Sequence, residues 1–161
     1  MFLAYRADAA IDAVVAAATR AAPAYAYASG KPGLRAGRGS ALPGMPDYAQ
    51  VQLLSRMGDL AGKKKYWPIY DAASAFELPI GIHAFGYSGW PNSSSGWTSY
   101  YIEEMAEHCT SCQALLTSMV VEGVFERFPK LKVVLIEAGF AWLPALGFRL
   151  DAHWKKLRAE V

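Results

Sequence analysis

From Tyr48 onward the apolar residues fall in short blocks, and the blocks change period. Leu131 to Ile136, within FPKLKVVLIEAG, is a β-branched and nearly continuous apolar run that closes on Glu137 and Ala138-Gly139. Such a run predicts a strand buried on both faces, as in a parallel sheet. Ala138-Gly139 makes a tight exit, and Trp142 to Arg158 reads as a helix. The unit is strand, short loop, helix, with a carboxylate where the strand ends. Leu78 to His83, LPIGIH, predicts a second buried strand that also ends on a polar residue. Tyr48 to Leu54, YAQVQLL, alternates as a strand does.

Helices separate these strands. Pro68 sits where a missing N–H costs nothing and opens a helix that runs to about Glu77. Ile69, Ala72, Ala73 and Phe76 share one of its faces at i, i+3, i+4, i+7 spacing. A glycine- and serine-rich loop over 84–98 carries Trp90 and Trp97; loops of this length are functional or mobile. Thr98 or Ser99 starts the next helix, with Glu103 in its first turns. Its expected apolar stripe is Tyr101, Met105, Cys109, Cys112, Leu116, Met119 and Val120, and Gly123 interrupts it.

Residues 1–46 differ in composition. Ala7 to Ala22 suits a helix by propensity, but its pattern is smeared around the axis. Pro23, Pro32, Gly33, Gly37, Gly39, Pro43, Gly44 and Pro46 exclude regular structure through Met45. The expected division is an Ala/Gly/Pro-rich leader over 1–46, outside the fold, and a folded domain over 47–161. The domain's order is β-α-β-loop-α-β-α, which predicts an α/β fold with a parallel sheet and right-handed crossovers. Three such units are about a third of an eight-stranded barrel of ~250 residues; a small open sheet is the alternative.

Composition narrows the function classes. The 161 residues are 53% hydrophobic and 19% charged, with a formal net charge of +2. That is globular, and too weakly basic to argue for nucleic acid. Lys63-Lys64-Lys65 reads as a solvated turn before a helix. No apolar run approaches the ~20 residues of a membrane span, and the first residues lack a signal-peptide core. Two cysteines make no disulfide framework, so a cytoplasmic protein is the expectation.

The candidate chemistry lies at strand ends, where α/β folds gather their sites. His83 is a candidate metal ligand or acid–base group; the blander reading is an imidazole satisfied by a backbone carbonyl. Glu137 would share its rim, as an acid–base partner, or else would cap the following helix or pair with a basic neighbour. His108 precedes Cys109-Thr-Ser-Cys112. A redox CxxC belongs at a helix start, where a thiol pKa falls; this one lies turns inside a helix, with both sulfurs on the apolar stripe, so packing is the better reading. Trp90, Trp97 and Tyr100 could line a pocket or cover the sheet, and His153 should be exposed.

Residues 66–161 resemble the amidohydrolase-related family, in the branch that holds aminocarboxymuconate-semialdehyde decarboxylase-like enzymes. The resemblance is carried by YWPIYDAASAFELPIGIHAFG, SYYIEEMAEH, LLTSMVVEGVFERFPKLKVVLIEAGFAWLP and FRLDAHW. It implies a partial (β/α)8 TIM barrel of about three parallel βα units. It also implies a single divalent metal, often zinc, and hydrolysis or non-oxidative decarboxylation of a small carboxylated or cyclic substrate. His83 matches the family's metal-ligand histidine, so the resemblance implies His83 as a metal ligand. Glu137 stands where many members carry a catalytic or metal-proximal histidine, so the resemblance implies Glu137 as a catalytic residue. The family's opening His-x-His and its late-strand Asp have no counterpart here. The chain is therefore expected to be a truncated hydrolase or decarboxylase, weakly active or inactive alone. The rival is a non-catalytic α/β interaction module. Expected partners are a small-molecule substrate, no nucleic acid and no membrane, with a homo-oligomer left open.

Overall fold

The structure is a computed structural model that describes residues 26–30, 48–56, 58–83 and 90–160. Four strands form one sheet in the order β1-β2-β3-β4. They are β1 (Ala26–Gly30), β2 (Tyr48–Leu54), β3 (Ile80–His83) and β4 (Val133–Ile136). The helices are α1 (Trp67–Ala75), α2 (Tyr101–Val121), the short α3 (Val124–Arg127) and α4 (Leu143–Leu157). β2, β3 and β4 run parallel, as the alternation of strands and helices predicts. The expected helix over Ala7 to Ala22 lies outside the described residues.

One expectation is overturned. The stretch 23–46, read as free of regular structure, contains β1, which pairs antiparallel with β2 from Ala26↔Leu53 to Gly30↔Tyr48. The backbone hydrogen bonds that make it a strand come from β2, which local propensity does not reveal.

The register separates two faces of the parallel sheet. Val51, Ile80 and Val133 are partners in one row, and Leu53, Ile82 and Leu135 in another. Val51, Leu53, Ile80 and Ile82 are fully buried, in a core with Ile69, Tyr70 and Ala73 of α1 and Cys112, Leu115 and Met119 of α2. Partners at alternate positions share the opposite face: Gln52, Gly81 and Val134, then Leu54, His83 and Ile136. There Gln50 Nε2 donates to Gln52 Oε1 at 3.3 Å, and Val134 is 45% exposed.

Two helix faces differ from expectation. α1 buries Ile69, Tyr70 and Ala73, while Phe76 lies outside at the helix end. The Tyr70 hydroxyl donates to the Ala61 carbonyl at 2.6 Å, and burial pushes its pKa up. In α2 the buried residues are His108, Ser111, Cys112, Leu115, Ser118 and Met119, whereas Tyr101, Met105 and Val120 are exposed. Small serines permit the rotation. A Cβ at Gly62 would collide with the Ser118 backbone, and the Gly62 N–H donates to Ser118 Oγ at 3.1 Å. Hydrophobic counting passes over serines, so the close contact is invisible to it.

The helix ends follow ordinary rules. Glu103 Oε2 accepts hydrogen bonds from the N–H groups of Ser99 and Tyr100, at 2.8 and 2.7 Å, which satisfies donors at the start of α2. α1 ends with Leu78 N–H donating to Ala73 O and Glu77 N–H to Ser74 O, a Schellman closure. Glu77 takes the left-handed position there, at φ 55°. Lys63 and Lys65 each reach Asp59 at 2.6 Å, so the lysine cluster is a turn held by its own carboxylate. No helix among the described residues is long and apolar enough to cross a membrane.

Candidate functional site

β3 and β4 bring the two residues singled out in the sequence to one rim. His83 is the last residue of β3 and pairs in register with Ile136, the last residue of β4. Glu137 follows directly. His83 Nε2 lies 3.5 Å from Glu137 Oε2; the histidine side chain is largely buried and the carboxylate 65% exposed. At that separation the pair is within charge contact but longer than a good hydrogen bond. Catalytic contacts are often this long before substrate arrives.

Glu137 reaches His83 through an unusual backbone. Its φ is 59°, in the left-handed region that L side chains other than Asn and Asp rarely adopt. No helix terminates there to require it, in contrast to Glu77. The N-terminus of α4 takes no side-chain cap, so helix capping does not account for Glu137. Ala138 is buried, and Gly139 takes φ 63°. The Trp142 indole Nε1 donates to the Ala138 carbonyl at 2.7 Å, tying the turn to the start of α4.

Chemically the pair offers one imidazole nitrogen that can take or give a proton, and one carboxylate to orient it. A divalent ion asks for more. Structural and catalytic zinc sites use three or four protein ligands, and the rim supplies two donors. No group of three or more His, Cys, Asp or Glu residues that could hold a metal is found among the described residues. The described residues therefore do not fit a divalent ion by themselves.

The neighbouring strand end holds groups that sequence reading passed over. Ser55 N–H donates to the His83 carbonyl at 3.1 Å, and the next residue, Arg56, is buried. Arg56 pairs with Glu104 of α2 at 2.7 Å and donates to the Trp90 carbonyl at 3.2 Å. Asn92 Nδ2 donates to the Glu104 carbonyl at 3.2 Å. Arg56, Trp90 and Asn92 line a cleft of about 520 Å³ together with Ser55, Ser111 and Leu115. Glu104 neutralises Arg56, so the cleft is not an open anion site. An arginine one residue beyond a buried strand was the available signal. Trp90 is half exposed on the cleft, and Trp97 and Tyr100 are exposed. Residues 84–89 of the connecting loop lie outside the described residues.

The remaining candidates separate cleanly. Cys109 and Cys112 are free thiols, one half-buried and one buried. Burial pushes the Cys112 thiol up to about 11, opposite to the direction a redox thiol needs. His108 is buried with no partner for Nδ1 among the described residues, and His153 is exposed on α4.

Known proteins give this geometry a context. The amidohydrolase family model matches residues 4–161, which includes most of the stretch set apart as a leader. A solved amidohydrolase from Mycobacterium avium subsp. paratuberculosis K-10 is 26% identical, with a TM-score of 0.51, over 62% of this chain and 26% of its own. A structure described as an amidohydrolase of Staphylococcus aureus is 18% identical, with a TM-score of 0.42, over 63% of this chain and 35% of its own. The chain thus spans between a quarter and about a third of the length of these proteins. Its parallel βα units fit part of an amidohydrolase barrel, and with a family match running over nearly all of its length the chain belongs to the amidohydrolase family.

Proposed function

We propose that this chain is a portion of an amidohydrolase barrel and carries part of its active rim, with His83 and Glu137 as the working pair. The reaction would be hydrolysis or non-oxidative decarboxylation of a small carboxylated or cyclic substrate, the latter in keeping with the decarboxylase-like branch. The observation that supports this reading is the 3.5 Å approach of His83 to Glu137 at the C-terminal ends of parallel strands, where barrel enzymes place their chemistry. Glu137 would hold the imidazole for proton transfer to or from substrate. His83 would serve a divalent ion, zinc for example, only alongside ligands from outside the described residues. The folded unit in this reading is 47–161 with β1 added at its edge.

Turnover tests the reading. The pure 161-residue chain, supplied with zinc or manganese, is assayed against small lactones, cyclic amides and aromatic carboxylates. The expected result is weak turnover or none, with any activity falling to background in His83→Ala and Glu137→Gln. Activity that survives both substitutions would place the chemistry elsewhere.

One observation favours a second reading, a module that works by association. No residue of α4 is buried, and Phe140, Phe148 and Trp154 are exposed around it. Apolar residues gathered on one side of a domain mark an interaction surface. A concentration-dependent oligomer in sedimentation, with no turnover at any metal concentration, would favour that reading over the enzymatic one.

A further inference from the structure

We propose that Trp142 is a positioning residue: its indole N–H, clamped on the Ala138 carbonyl, holds the turn that presents Glu137 to His83. The inference rests on the His83–Glu137 pair being the working site. Three observations converge on it. Glu137 keeps a left-handed backbone at φ 59°, a conformation that persists only when its surroundings over-determine it. Nothing in a strand end supplies that constraint, whereas at Glu77 the helix closure supplies it. The residue after Glu137 is Ala138, buried and held at its carbonyl by Trp142 Nε1 at 2.7 Å. Gly139 then turns back at φ 63°, and a Cβ there would lie in ordinary contact, at 3.9 Å, with that same indole nitrogen.

The clamp also explains how α4 contributes to a rim it does not cover. Trp142 stands at the N-terminus of α4 and packs against the core edge. Leu143 N–H donates to Phe140 O at 3.0 Å, and Leu146 N–H donates to Trp142 O at 3.0 Å. The turn and the first turn of the helix are therefore one hydrogen-bonded piece, and the carboxylate is set by where that piece docks. Losing the indole N–H frees the Ala138 carbonyl, lets Glu137 relax from the left-handed region and withdraws its carboxylate from Nε2.

The test uses the ring resonances of His83 in the full chain. The chain has three histidines, and the signals of His83 are identified by their loss in His83→Ala. At one fixed pH, the His83 ring signals are compared among the wild type, Glu137→Gln, Trp142→Phe and Trp67→Phe. Trp67 is the control, because its Nε1 makes the same kind of bond, to the Gly62 carbonyl at 2.9 Å, away from the turn. Trp142→Phe is expected to move the His83 signals most of the way to their Glu137→Gln positions, and Trp67→Phe to leave them in place. Gly139→Ala, which strains the same turn while leaving the indole N–H in the protein, should move them in the same direction and serves if Trp142→Phe fails to fold. If Glu137→Gln moves the signals and neither turn variant does, the clamp is overturned while the pair stands. Equal movement in Trp67→Phe also overturns it, because general loosening then accounts for the effect. If Glu137→Gln itself leaves His83 unmoved, the pair fails and the clamp fails with it.

Discussion

On one face of the parallel sheet, Val51, Leu53, Ile80 and Ile82 are sealed beneath α1 and α2. On the other, at alternate positions of the same strands, stand Gln52, Gly81, His83 and Val134. The first face is a continuous apolar layer. The second mixes amides, a glycine and an imidazole, and at β4 it opens to solvent. Gly81 matters to that second face, since a Cβ there would press on the Gln50 amide at 2.8 Å. The difference teaches that one short strand can hold the fold with one set of side chains and present chemistry with the other, and that its last residue is where the second set meets the loops.

Substitutions on matched positions sharpen the contrast. Ile82→Ala on the helix-facing side removes buried volume beneath two helices and should cost about 2–5 kcal/mol in chemical denaturation. Val134→Ala on the open side should change stability by no more than about 0.5 kcal/mol. Equal losses at the two sites would mean that the second face is also packed in solution. Next in size is Gly62→Ala, which drives a methyl into the Ser118 backbone and should cost about 1–3 kcal/mol.

The two left-handed glutamates give a smaller and more diagnostic comparison. Glu77→Gly and Glu137→Gly each relieve a conformation that costs an L residue about 1–2 kcal/mol, against the roughly 0.5–1 kcal/mol that glycine loses through chain entropy. Both variants should hold or raise the melting temperature. Only Glu137→Gly should disturb the His83 ring signals. A clear drop in stability at Glu137 alone would mean that its carboxylate holds the fold rather than a site.

The smallest effect belongs to neither face. Partial burial works to raise the pKa of Asp59, but bonds from Lys63, Lys65 and the Leu60 N–H outweigh it and bring the carboxyl from its ordinary 3.8 to about 2. A depressed folded-state pKa adds stability above the unfolded value and loses it as pH falls through the folded one. Asp59→Asn should therefore cost about 1 kcal/mol or less at neutral pH. The cost should shrink between pH 3.8 and about 2 and weaken with salt. A pH-independent difference would remove the lysine pairs from the account.

The residues that could be read from the sequence are those whose signal is local. LPIGIH and KVVLI carry their strands in composition, Pro68 and Glu103 mark helix starts, and the strand-end positions of His83 and Glu137 follow from the strands. What stayed hidden depends on partners far along the chain. β1 exists through β2. The buried face of α2 includes Ser118, which fits beside Gly62. Arg56 and Glu104, 48 residues apart, meet at 2.7 Å. KVVLI by itself gave no sign of which face would be sealed, because Val133 and Val134 stand on opposite faces; the register with β3 decided it.

The central proposal is that the described residues supply two donors of an amidohydrolase rim, His83 and Glu137, too few to hold an ion unaided. Elemental analysis of zinc and manganese in the purified protein, beside His83→Ala, tests it most directly. The account predicts well under one equivalent of metal in both proteins. Near-stoichiometric metal in the wild type that disappears in His83→Ala would contradict it, because the chain would then complete a metal site from its own residues.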